Sequence, residues 1–201
     1  MLAKRFWNAL NGERNRFFFQ EWTLEPLCPS ISLKQFDCGD TDLNEFFKID
    51  AVKNEKELLG KTYLLTRDGY QITEKNPPVA LICYCNDSIH VNLANDFERL
   101  EGVNYYEYLP AAKIARLAVH KDFQGDDIGD LVLTMTKSIF LTQNRTGCRI
   151  LTVDAYKRDY AVKFYEDNGF RRISESKREL KASTWTMYYD LKRFQDPGIF
   201  F

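Results

Sequence analysis

The sequence predicts a mixed α/β fold, a central sheet flanked by helices, on three observations. Ile114 to Leu133 reads as a strand, a tight turn and a helix start in one piece. Its apolar run ends at Val119, Gln124 and Gly125 fall in the turn, and Ile128, Leu131, Val132 and Met135 recur at helical spacing. Cys148 to Asp154 is a second apolar strand, followed by a helical pattern over Ala161 to Phe170. Lys61 to Arg67 and Val79 to Cys85 read as neighbouring strands, joined by a polar loop with Asp68-Gly69 and Asn76-Pro77-Pro78.

The remaining elements follow in order. Residues 1–30 are rich in aromatics, with Phe6, Trp7, Phe17, Phe18, Phe19 and Trp22, and are expected to form an extension that packs on the domain. Ile31 to Phe36 suits a first strand. Thr41 to Glu45 looks like a helix start capped by Thr41 or Asp40, with the helix expected to run to about Leu59. From Asn86 to Pro110 the pattern is irregular, which predicts an insertion at about 86–110. It holds a short helix around Asn92 to Leu100, then Tyr105, Tyr106 and Tyr108, rings that either line a substrate pocket or cover a sheet edge. Strands at Phe170 to Ser174 and Thr184 to Leu191 close the chain, giving the order β-α-α-β-β-β-α-β-α-β-β.

A chain of 201 residues with 44% hydrophobic content is long enough for one well-packed domain, read here as 31–201. No run of about 18 apolar residues exists, so no membrane partner is expected. The first ten residues are too broken in their apolar run for a secretory signal, which points to the cytoplasm. Five cysteines, Cys28, Cys38, Cys83, Cys85 and Cys148, lack framework spacing and fit free thiols in a reducing compartment. Cys83 and Cys85 share a strand face, but with no second pair and two histidines in the chain no metal site is expected. Residues 1–130 carry 15 Lys+Arg against 21 Asp+Glu, and residues 131–201 carry 13 against 8. The basic second half suits a phosphate-rich ligand, although Arg171, Arg172, Lys177, Arg178 and Lys181 also read as a solvated hairpin face.

The turn after Val119 brings free backbone N–H groups to a helix N-terminus, where the unpaired donors and the helix dipole favour an anion. Neither G-x-x-x-x-G-K-[ST] nor G-x-G-x-x-G after a strand occurs, which removes nucleoside triphosphate and dinucleotide readings. Gln124-Gly125-Asp126-Asp127-Ile128-Gly129 resembles the acyl-CoA motif of the GNAT superfamily of N-acyltransferases: Gln or Arg, two residues, Gly, one residue, then Gly or Ala. Asp127 stands where that motif has its central glycine. Ala161-Val162-Lys163-Phe164-Tyr165-Glu166-Asp167-Asn168-Gly169-Phe170 is similar to the family's Ala-x-x-Phe-Tyr-x-x-x-Gly-Phe segment, with Gly169 as helix C-cap. Phe36-Asp37-Cys38-Gly39, with Leu43, Phe46 and Phe47, resembles the opening segment of the GNAT branch that includes toxins of toxin–antitoxin pairs.

The resemblance implies a mostly antiparallel sheet, splayed between its fourth and fifth strands, and acetyl transfer from acetyl-CoA to a primary amine by direct attack in a ternary complex. It implies that backbone groups of Leu117, Ala118 and Val119 pair with the pantetheine arm, with the Val119 N–H as oxyanion donor. Gln124, Gly125, Asp126, Asp127, Ile128 and Gly129 would cradle the pyrophosphate, and Tyr165 would act as general acid. A phenol with an ordinary pKa near 10 stays protonated at neutral pH and can donate to a thiolate. A carboxylate about 5 Å from a phosphate costs ~3 kcal/mol at an effective dielectric of 20, so Asp126 and Asp127 are expected to point outward. No base stands out: His120 is expected in an exposed turn, Glu107, Asp154 and water remain open, and Arg116 either serves the site or forms a structural salt bridge. The substrate carries an amine. An aminoacyl-tRNA acceptor with an antitoxin partner is the toxin-like alternative, a non-catalytic interaction domain is the rival, and a homodimer through sheet edges follows by analogy.

Overall fold

This computed structural model describes residues 16–90, 106–144, 147–173 and 182–194. Strands β1 (Phe17–Phe19) and β2 (Trp22–Pro26) come first. Helix α1 (Thr41–Glu45) passes through a π-helical turn (Phe46–Asp50) into α2 (Ala51–Lys56). Strands β3 (Lys61–Arg67), β4 (Ala80–His90) and β5 (Tyr108–Val119) precede helix α3 (Ile128–Thr142). Strand β6 (Ile150–Tyr156), helix α4 (Asp159–Asp167), β7 (Arg171–Arg172) and β8 (Thr184–Asp190) complete the set. The eight strands form one open sheet in the order β1-β2-β3-β4-β5-β6-β8-β7.

Pairs β1/β2, β2/β3, β6/β8 and β7/β8 are antiparallel, whereas β5 and β6 are parallel. A parallel pair needs a crossover, and α3 supplies it. The parallel register runs from Ala111↔Ile150 to Ile114↔Val153, so Leu117, Ala118 and Val119 continue β5 beyond it. This is the mixed, mostly antiparallel GNAT-like arrangement expected from the sequence.

The chain divides into two compact units, residues 1–83 with 116–135, and residues 84–115 with 136–201. In the first, Leu24, Phe36, Phe47, Leu64, Leu65, Leu81 and Leu133 are almost wholly buried. In the second, Ile89, Leu109, Ala111, Ile150, Ile173 and Tyr188 pack as one cluster. Burial of such side chains, worth about 1.5–3 kcal/mol each, is the main driving force for both.

Several elements differ from expectation. Ile31 to Phe36 forms no strand; local turns close on Cys28 and Leu33 carbonyls, and Leu33 and Phe36 are buried as loop anchors. The sheet instead starts inside residues 1–30, where Leu24 of β2 faces Leu65 of β3. Asp40 caps α1 by accepting from the Leu43 amide at 3.2 Å. The helical run ends at Lys56 because Leu58 turns left-handed at φ +58°. Strand β4 continues past Cys85 to His90, and β5 begins at Tyr108, so both flanks of the expected 86–110 insertion belong to the sheet. The helix expected at Asn92 to Leu100, Tyr105, and residues Lys177, Arg178 and Lys181 lie outside the described residues. Tyr106 and Tyr108 are exposed, and Tyr108 meets His90 edge-on at 4.8 Å. Of the expected Phe170 to Ser174 strand, Arg171 and Arg172 pair with β8 and Ile173 N donates to Thr186 O at 2.9 Å, while Ser174 lies outside the described residues.

Candidate functional site

In the first unit, β5 ends at Val119 and the chain enters a 3-10 turn (Lys121–Phe123). His120, expected in an exposed turn, is instead buried at 5% accessibility, with its ring edge-on to Phe36 at 5.7 Å and to Phe123 at 6.1 Å. Its Nδ1 accepts from the Asp122 amide at 3.3 Å, so it caps the turn and packs it. Apolar neighbours on both sides explain a burial that local polarity does not reveal.

The backbone from Gln124 to Gly129 passes through two left-handed residues. Gly125 has φ +92°, and Asp127, where the motif has glycine, has φ +55°. Asp is one of the few non-glycine residues that enter the left-handed region at modest cost, because its short side chain bonds locally. Asp127 therefore takes a left-handed turn without a glycine. A Cβ built on Gly125 meets nothing within 4 Å, so the turn surface is open there. Gln124, Asp126 and Asp127 are exposed, Ile128 is buried and Gly129 is partly buried. Asp127 O accepts from the Leu131 amide at 3.0 Å and starts α3. An open glycine turn, first-turn amides and outer carboxylates fit a pyrophosphate held by backbone groups. Of the strand residues, Ala118 is buried while Leu117 and Val119 are half-buried.

In the second unit, Tyr165 lies on α4, half-buried, with its ring edge-on to Phe164 at 5.0 Å and Phe170 at 5.5 Å. Burial pushes its phenol well above the ordinary range, so the hydroxyl holds its proton throughout neutral pH. Its hydroxyl has no hydrogen-bond partner among the described residues. The helix end behind it is fixed: Gly169 turns at φ +80°, and Phe170 N donates to Tyr165 O at 2.9 Å. Lys137, 6% accessible, donates from Nζ to Asn168 O at 2.8 Å while lying 4.6 Å from the Tyr189 ring centroid.

The expected base candidates are engaged elsewhere. Glu107 Oε1 lies 3.2 Å from His90 Nε2, and Asp154 pairs with Lys113 and accepts from Thr186 Oγ1 at 3.0 Å. Asp87 escaped the sequence reading because its strand was expected to stop at Cys85. It stands in β4 and accepts from the buried Thr152 Oγ1 at 2.6 Å. Arg116 Nε lies 4.0 Å from Asp42 Oδ2, and its guanidinium covers the Phe46 ring at 5.1 Å. Arg172 pairs with Glu166 at 3.0 Å and stacks on Trp185 at 5.7 Å. Among the described residues no three His, Cys, Asp or Glu side chains are grouped to hold a metal, and no helix is long and apolar enough to cross a membrane.

Residues 88–191, just over half of the chain, match the acetyltransferase (GNAT) domain family. The chain belongs to the GNAT acetyltransferases. Solved structures of similar fold include a tyrosine-to-phenylalanine mutant of KacT, 19% identical, with TM-score 0.71 over 86% of this chain and 96% of that one. AtaT complexed with acetyl-methionyl-tRNAfMet is 20% identical, with TM-score 0.70 over 85% of this chain and 95% of that one. AtaTR bound with AcCoA is 20% identical, with TM-score 0.64 over 87% and 96%. Membership makes the chain an acetyl-CoA-dependent N-acetyltransferase.

Proposed function

We propose that this GNAT chain moves the acetyl group of acetyl-CoA to a primary amine, with Gln124 to Gly129 as the pyrophosphate turn and Tyr165 as general acid. The observation that supports the reading is the left-handed backbone of Asp127, at φ +55°, at the position where the resembled motif has glycine. Amides at a helix start favour phosphate, and the exposed Asp126 and Asp127 carboxylates are screened by water rather than turned into the turn. When bound, acetyl-CoA supplies the activated thioester. The amine nitrogen forms its bond to the acetyl carbon as the carbon–sulfur bond breaks. The amine proton leaves to solvent, the Tyr165 hydroxyl supplies the proton taken by sulfur, and the phenolate regains a proton from solvent as products leave. The Val119 N–H is the assigned oxyanion donor, with Leu117 and Ala118 along the pantetheine arm.

Calorimetric titration with acetyl-CoA tests the turn. Micromolar binding that is lost in Gly129→Trp is the expected result, whereas no binding to the folded wild-type chain would favour the interaction-domain rival. Tyr165→Phe should lower kcat roughly 100-fold or more while acetyl-CoA binding persists. Retained turnover would remove Tyr165 from the reaction.

A second reading names the amine as that of an aminoacyl-tRNA. It is supported by the opening segment around Asp37 and by the fold shared with AtaT, a protein solved with acetyl-methionyl-tRNAfMet. On this reading an antitoxin and a second copy of the chain are the partners to seek, in the cytoplasm. Acetylation of charged tRNA by the purified chain, compared with free amino acids and peptides, decides between acceptors.

A further inference from the structure

The segment Phe36-Asp37-Cys38-Gly39 takes no part in the chemistry above, yet it grips the cofactor turn. Lys121 N donates to Asp37 O at 2.9 Å, and Lys121 Nζ lies 3.1 Å from Asp37 Oδ2. Gln124 Nε2 donates to Cys38 O at 2.9 Å and to Val119 O at 3.0 Å. Both amide hydrogens of Gln124 are thereby used, tying the end of β5 to the loop. Phe36 closes the same contact through the His120 ring, and His120 N donates to Val79 O at 2.9 Å.

The gripping residues are themselves fixed. Asp37 Oδ1 accepts from Gly39 N at 2.9 Å and from Asn44 Nδ2 at 2.8 Å, while Asn44 Oδ1 accepts from Cys38 N at 2.9 Å. Bonds from the Gly39 amide, the Asn44 amide and the Lys121 ammonium hold the Asp37 carboxyl well below its usual range. A charged acceptor with three donors is a rigid anchor, and rigidity matters here because an exposed turn that orders only on binding spends affinity on its own immobilisation.

We propose that Asp37 and Gln124 are positioning residues for acetyl-CoA, clasping Val119 to Gln124 so that the amides of Gly125 to Gly129 face the cofactor without either side chain touching it. The proposal rests on the reading of Gln124 to Gly129 as the pyrophosphate turn. It assigns to the first residue of the motif a structural use of its side chain, and to Asp37 a role more than eighty positions away in sequence.

The test compares wild type, Asp37→Ala, Asp37→Asn and Gln124→Ala by two measurements: KM for acetyl-CoA against kcat, and amide hydrogen exchange of the unliganded protein. Expected are a roughly 10-fold or greater rise in KM for Asp37→Ala and Gln124→Ala, with kcat changed less than about 2-fold. Exchange should quicken at residues 120–129 and stay as in wild type over β6 and β8. Asp37→Asn keeps an oxygen for Gly39 and Asn44 and should recover most of the KM. Unchanged exchange at the turn overturns the clasp, with or without a change in KM. So does exchange that quickens throughout the protein, which marks a merely structural loss. If Gly129→Trp leaves acetyl-CoA binding intact while exchange at the turn responds to Asp37→Ala, the cofactor reading fails and the clasp stands without it, overturning the positioning role.

Discussion

The Gln124 to Gly129 turn and the Tyr165 helix are held by different forces. Around the turn the contacts are polar and near the surface: Asp37 to Lys121, Gln124 to Cys38 and Val119, with Asp37 and Lys121 both substantially exposed. Around α4 they are made by rings: half-buried Tyr165 against Phe164 and buried Phe170, and the Lys137 ammonium against Tyr189. Polar clasps set direction and exchange with water at small cost. Packed rings exclude water and push the phenol further above its ordinary range.

The sharpest way to break the contrast is at the base of the second unit. Asp190, 3% accessible, receives Arg149 Nε and Nη2, both at 2.9 Å. Burial opposes its ionisation, but the bonds from Arg149 and from Lys192 N outweigh it and leave the carboxyl below its ordinary value. Asp190→Asn should cost about 3–5 kcal/mol in a denaturant melt, because it strands a half-buried guanidinium. A loss below ~1 kcal/mol would mean that water reaches the pair.

Next in size is Gly169→Ala. Its φ of +80° suits glycine, and a Cβ there would stand 3.1 Å from Tyr189 Cε2. We expect about 1–3 kcal/mol of destabilisation and a lower kcat, since the end of α4 must shift. Unchanged kinetics would separate Tyr165 from its helix end.

The two regions should also respond to opposite ends of the pH scale. Asp37 is lowered from 3.8, so the stability it lends is full above that value and fades as pH falls through its lower folded value. Tyr165 is raised from 10.0 by burial, so its contribution is intact below that value and fades as pH rises through its higher folded value. Thermal melts should show that Asp37→Asn flattens only the acid limb and Tyr165→Phe only the alkaline one. A variant that moves both limbs equally would erase the distinction.

The smallest effect expected is that of Asp127→Gly. Glycine relieves the left-handed backbone but adds freedom to the unfolded chain, so stability should change by less than about 1 kcal/mol. Removing an exposed carboxylate near phosphate should tighten acetyl-CoA binding by less than roughly 10-fold, because water screens it. A gain of 100-fold in a titration would place that carboxylate against the phosphates.

Much of this was legible in local pattern. The strand-turn-helix from Ile114, the strand at β6, the helix with Tyr165 and the Gly169 stop all follow from periodicity and capping, which act over a few residues. The first strand was misplaced because Ile31, Leu33 and Phe36 are apolar at strand-like spacing yet bury as loop anchors, while Trp22 and Leu24 have a partner in β3. Asp87 was overlooked because the end of a strand is set by its neighbour rather than by its own residues.

By itself, then, the sequence determined the mixed α/β elements, the family and the residues matching its motifs, since each is written in a short stretch of chain. Only the tertiary structure decided what those residues do with their side chains. Asp37 meets Lys121 across 84 positions and Gln124 meets Cys38 across 86. Such contacts depend on the whole path of the chain between them, and no local periodicity records that path.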